Sequence, residues 1–123
     1  MMPSITRQEL LIAIYDGVVT VVDALPAAPY ALRHICSAIN LPAEDAGRHA
    51  YLLLPDKDMP IVTYSTDADC GRGEALAARL AELGYSNVRV YREGIEDWIA
   101  SDMPVEWASR SATSSAEPDR LSA

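Results

Sequence analysis

Between Pro60 and Leu83 the chain passes from a β-rich apolar segment, Pro-Ile-Val-Thr-Tyr, through the six residues Ser65 to Cys70, into Gly-Arg-Gly and then an Ala/Leu/Glu/Arg block. The first part reads as a buried parallel strand, and the last has helical propensity. A strand that becomes a helix over so short a connection aims successive backbone N–H groups at one point. There the helix N-terminus adds a partial positive charge. The geometry expected is a cradle for an anion or an activated nucleophile.

The rest of the chain supplies the framework for that turn. Thr6 with Glu9 forms a capping-box pattern ahead of Leu10, Leu11 and Ile14, which predicts a helix that Gly17 stops. Five β-branched residues, Val18 to Val22, predict a strand buried on both faces and ending at Asp23. Pro26 opens a short helical turn limited by Pro29, and Ala38, Ile39 and Leu41 form a brief strand. A helix weakened by Gly47 is expected from Ala43 to Leu54. Gly84 closes the helix after the central loop, and Asn87 to Tyr91 alternates as a strand. Glu93-Gly94 turns into a short helix carrying Trp98, and Pro104 to Trp107 closes the fold. Strands alternating with helices predict an α/β fold with a parallel sheet, and ligands beyond the carboxyl ends of its strands. From Ala108 to Ala123 one Leu stands among Ser, Ala, Arg, Thr, Glu and Pro, which predicts a disordered tail at 108–123.

With 123 residues the chain suffices for one domain and one core. No apolar run reaches the roughly 18 residues that span a bilayer, and no secretory signal pattern is present. A formal charge of −8 opposes approach to nucleic acid and to anionic lipid, so neither is an expected partner. Two cysteines, Cys36 and Cys70, are too few for a disulfide framework, and a reducing cytoplasm is the expected location. Two His and two Cys set far apart give a metal site little support, and no cofactor is expected.

Four segments in order resemble the rhodanese family. Val22-Asp23 followed by His34-Ile35, Ala38-Ile39-Asn40-Leu41-Pro42 resembles the family's aspartate and Gly-His-Ile-Pro-Gly-Ala-x-Asn-x-Pro block. Ile61 to Tyr64 resembles the pre-loop strand, and Leu83-Gly84-Tyr85 with Asn87-Val88 the Leu-Gly-Tyr-x-Asn-Val segment. Gly94-Ile95 with Trp98 and Met103-Pro104-Val105 resembles the Gly-Gly-x-x-x-Trp…Pro-Val ending. The resemblance covers Ile5 to Trp107 and implies a domain over 1–107. Its fold would be a mainly parallel sheet of about five strands with helices on both faces.

The resemblance also implies a chemistry: in the family the residue after the pre-loop tyrosine is a cysteine that accepts sulfane sulfur as a persulfide. Here that position is Ser65, and Cys70 stands five residues on, where the family often has arginine. Cys36-Ser37 replaces the Pro-Gly of the histidine block, and Glu93 the first glycine of the Gly-Gly pair. A serine hydroxyl is not ionised near neutral pH and forms no persulfide, so thiosulfate sulfurtransferase activity at Ser65 is expected to be absent. The expected function is a binding or regulatory module built on the loop Ser65, Thr66, Asp67, Ala68, Asp69, Cys70, Gly71 and Arg72. Its ligand would be a small sulfur-containing anion or a protein partner. The alternative is an active sulfurtransferase that carries persulfide on Cys70. Asp67 and Asp69, if turned inward, cancel the helix dipole, so anion affinity requires them to face solvent and Arg72 to turn in. Cys36 reads as a small hydrophobe. Tyr30, Tyr51, Tyr64, Tyr85 and Trp98 read as packing residues, His49 as solvated, and Arg33, Arg72 and Arg92 as a possible ring at the loop mouth. Asp23, His34 and Ser65 hold the residue types of a hydrolytic triad. Without a Gly-x-Ser-x-Gly elbow they do not read as one, and the resemblance implies that Asp23 and His34 brace the fold.

Overall fold

A computed structural model describes residues 2–107, so the tail expected at 108–123 lies outside the described residues. The first helix, α1 (Arg7–Asp16), starts where the sequence places it. Glu9 N–H donates to Thr6 Oγ1 at 3.1 Å, Thr6 N–H donates to Glu9 Oε1 at 3.0 Å, and Gly17 ends the helix at φ 68°. Strand β1 (Thr20–Asp23) begins two residues later than the β-branched run suggests. Val18 N–H is still bonded to the Ala13 carbonyl, at 3.1 Å, and its side chain is exposed. Helix α2 (Ala27–Leu32) keeps Pro29 in its first turn, where a missing N–H costs nothing.

Strands β2 (His34–Ile35) and β3 (Ile39–Asn40) follow. The single helix expected from Ala43 divides into a 3-10 turn (Ala43–Asp45) and α3 (Ala46–Leu53). The chain continues through β4 (Ile61–Tyr64), α4 (Arg72–Glu82), β5 (Val88–Tyr91), α5 (Gly94–Ala100) and β6 (Val105–Glu106). Four strands form a parallel sheet in the order β3-β1-β4-β5, and Ser4 makes a parallel bridge with Val90 at its edge. The closing strand β6 does not join this sheet but pairs antiparallel with β2.

Alternation along the strands divides the core between two faces. Val22, Ile61, Val88 and Val90 pack with Leu76 and Leu80 of α4 and Ala46 and Ala50 of α3. Val21, Val62, Tyr64 and Tyr91 pack with Leu10 of α1 and Ile95 and Trp98 of α5. Tyr51 corrects an expectation: it is 66 % exposed, because Ala46 and Ala50 take the inward face of α3 and the next residue turns out to solvent. No helix among the described residues is long and apolar enough to cross a membrane.

A buried hydrogen-bond chain ties the middle of the sheet to the small ladder. Tyr64 Oη donates to Asp23 Oδ2 at 2.7 Å and accepts from Ile35 N–H at 3.0 Å, while Leu25 N–H donates to Asp23 Oδ1 at 2.7 Å. Burial raises the Asp23 carboxyl above its ordinary range, and the hydrogen bonds from Tyr64 and Leu25 oppose that rise. Tyr64→Phe removes one hydroxyl but strands two buried partners. Urea denaturation should show a loss of about 1–3 kcal/mol, and an unchanged midpoint would show that the chain of bonds contributes nothing.

Candidate functional site

The loop that leaves β4 is moored by its backbone. Ser65 and Thr66 turn their carbonyls toward the start of α5, where they accept from Ile95 N–H at 2.9 Å and Glu96 N–H at 3.0 Å. Gly94 makes this approach possible: its φ is 73°, and a Cβ there would lie 2.5 Å from both carbonyl oxygens. On the other side α4 closes directly on the strand end. A Cβ on Gly73 would sit 3.1 Å from Tyr64 Cα, and Thr63 Oγ1 donates to the Gly73 carbonyl at 2.7 Å. Between these anchors Asp67 organises the tip, accepting from Asp69 N–H on Oδ1 at 3.0 Å and from Cys70 N–H on its carbonyl at 3.2 Å.

Cys70 ends this turn, two residues before α4 begins. The residue is half-buried and packs against the Leu10 and Trp98 face of the core. Burial by itself raises the thiol. The N–H groups of Thr66 and Arg72 and the hydroxyls of Ser65 and Thr66 all direct hydrogen bonds at the sulfur, and together they bring it down to about 7. Ser65 itself is only 5 % exposed.

The other loop residues, Asp67, Ala68, Asp69, Gly71 and Arg72, are exposed. Both carboxylates thus face solvent, as anion affinity requires, but Arg72 does not turn in. Of the three arginines considered for the mouth, Arg33 and Arg72 are exposed, while Arg92 joins Ser65, Asp67, Gly73, Glu74 and Tyr91 in lining a cleft beside the loop. Arg92 is engaged there, paired with Glu74 and donating to the Met2 carbonyl at 2.7 Å. His49 is exposed.

Asp23, His34 and Ser65 make no hydrogen bond with one another among the described residues. The Asp23 carboxylate is held by Tyr64 and Leu25. The His34 ring stacks on Tyr30 at 3.9 Å, with Nδ1 2.7 Å from the Tyr30 carbonyl and Nε2 3.8 Å from Glu106 Oε1. Cys36 is half-buried and a free thiol, pushed up by burial and by Glu106. Sequence reasoning missed the wedge at Gly94. A glycine after Glu93 signals a turn, but nothing local signals that the turn abuts residues some thirty positions earlier. Gly94→Ala combines a left-handed backbone with that overlap. Thermal denaturation should show a loss of about 2 kcal/mol or more, and a melting curve matching the parent's would contradict the wedge.

Residues 6–101 match the rhodanese-like domain family. The HTH-type transcriptional regulator Rv0324 of Mycobacterium tuberculosis is 34 % identical over 103 residues, which cover 84 % of this chain and 44 % of the regulator, so this chain spans under half of that protein's length. Among solved structures, the BH2092 protein of Bacillus halodurans superposes with a TM-score of 0.79 at 30 % identity, covering 86 % of this chain and 77 % of that one. A thiosulfate sulfurtransferase of Pseudomonas aeruginosa shares the fold, with a TM-score of 0.77 at 24 % identity over 86 % of this chain and 20 % of its own. The matched span, the parallel sheet and the loop at the tip of its middle strand agree: this chain belongs to the rhodanese-like domain family.

Proposed function

We propose that this domain is a regulatory module that accepts sulfane sulfur on Cys70, and that thiosulfate turnover at Ser65, where the resemblance puts the family's nucleophile, is inactive. The observation that carries the reading is Cys70 itself, a half-buried free thiol between the exposed tip of the loop and the start of α4, lowered to about 7. A thiolate so placed is nucleophilic near neutral pH, whereas the Ser65 hydroxyl, with no general base bonded to it, is not.

The sulfur source fitting this loop is a low-molecular-weight hydropersulfide in a reducing cytoplasm. The Cys70 thiolate attacks the terminal sulfur of R–S–SH, a bond forms from Sγ to that sulfur, the S–S bond of the hydropersulfide breaks, and its electron pair leaves on R–S−. One negative charge stands on each side of the step, and no external oxidant is needed. Thiosulfate, a dianion, would meet Asp67 and Asp69 at the mouth and an Arg92 already engaged by Glu74. A regulatory role draws support from the similarity to a transcriptional regulator over less than half of that protein.

The second reading, a loop that binds a partner with an idle thiol, separates from this one by mass. After treatment with glutathione persulfide, the peptide containing Cys70 should gain about 32 mass units, and Cys70→Ser should gain nothing there. Absence of the adduct on Cys70 would overturn the proposal. With thiosulfate and cyanide, thiocyanate should stay at background for the parent chain and rise for Ser65→Cys.

A further inference from the structure

Deepening that reading, and resting on it for the class of sulfur donor, we propose that Glu74 is the specificity-determining residue of the cleft beside the loop. Its carboxylate occupies the place a small oxyanion would take and competes there against donors such as thiosulfate.

The cleft has the parts of an oxyanion site. Arg92 is the cation among the residues that line it, and its Nη2 donates to the Met2 carbonyl at 2.7 Å, which tethers one end of the guanidinium. Gly71, Gly73 and Glu74 line the same cleft, and they belong to the start of α4, an 11-residue helix whose first residue is preceded by Gly71 with no side-chain cap. The first amides of such a helix and the positive end of its dipole favour a negative charge.

Both attractions are met by one internal group. Glu74 is the acidic residue of the first turn of α4, and its Oε1 pairs with Arg92 Nη1. Both side chains are partly buried, so water and salt screen the pair less than they would at an open surface. Two carboxylates, Asp67 and Glu74, then stand against one guanidinium in the lining, and an entering dianion meets net repulsion. A hydropersulfide, whose reacting end carries no oxyanion, makes no demand on Arg92. Without the Glu74 charge the guanidinium would stay tethered at Met2 and be open at Nη1.

The test is anion binding, followed by the amide chemical shifts of Gly71, Gly73 and Arg92 as sodium sulfate is added at constant ionic strength. Sulfate holds no sulfane sulfur, so the measurement is independent of transfer to Cys70. The parent chain should show no saturation. Glu74→Gln, which keeps the shape and loses the charge, should bind sulfate saturably, with affinity raised about tenfold or more. Adding Arg92→Ala should abolish the gain, and in a Ser65→Cys chain Glu74→Gln should lower the KM for thiosulfate by a similar factor. A glutamate that served only the helix start would give no such gain. A folded Glu74→Gln chain that binds sulfate no better than the parent overturns the proposal, and so does saturable binding at these amides by the parent itself. Should Glu74→Gln misfold, Glu74→Ala removes the same carboxylate and is read in the same way. The two readings fail separately: a parent chain that takes no sulfur on Cys70 from glutathione persulfide ends the functional proposal, while a Glu74→Gln chain that takes the sulfur but binds no sulfate ends only this one.

Discussion

The site depends on two backbone hydrogen bonds, from the first amides of α5 to the carbonyls of Ser65 and Thr66. Each peptide plane that turns its oxygen toward α5 turns its N–H the other way, so docking the helix on the loop sets the direction in which the loop's donors face. A residue with a Cβ at position 94 would collide with both oxygens at 2.5 Å. The packing of Ile95 and Trp98 against Tyr64 and Tyr91 holds α5 in place, and so couples the core to the loop's shape.

Magnitudes decide what makes the Cys70 sulfur acidic. A helix N-terminus contributes roughly 0.3–1 kcal/mol to an exposed anion, whereas a hydrogen bond to a charged group contributes about 1.5–3 kcal/mol. Burial is the largest single influence on this thiol and raises it, while hydrogen bonding from the backbone of Thr66 and Arg72 and the side chains of Ser65 and Thr66 outweighs it and brings the thiol down to about 7. The exposed carboxylates of Asp67 and Asp69 act through water, where opposition is weak. What remains selective about them is the charge of the incoming donor.

Much of the fold was legible because its signals are local. The Thr6–Glu9 capping box, the stops at Gly17 and Gly84 and the apolar run Ile61 to Tyr64 lie within a few residues of what they specify. The parallel sheet followed from the alternation of strands with helices, and the helices on both its faces from the family resemblance. What escaped was non-local. The partner of β6 is β2, seventy residues earlier, and no periodicity reports that pairing. Tyr51 carries a core-forming side chain yet faces water, because α3 buries only a narrow stripe of alanines. At the loop, the position of Cys70 at a helix start was readable. The mooring of the Ser65 and Thr66 carbonyls was not, because it depends on the amides of residues 95 and 96.

The restraints named above that hold the turn between β4 and α4 end on main-chain atoms: carbonyls held by amides on one side, a Cα and a peptide carbon approached by a glycine on the other. Apart from the Asp67 carboxylate that organises the tip, side chains from 65 to 70 are tenants of this frame and not its timbers. Occupants can therefore be exchanged, sulfur for oxygen at one end and cation for sulfur at the other, while the room they share keeps its walls.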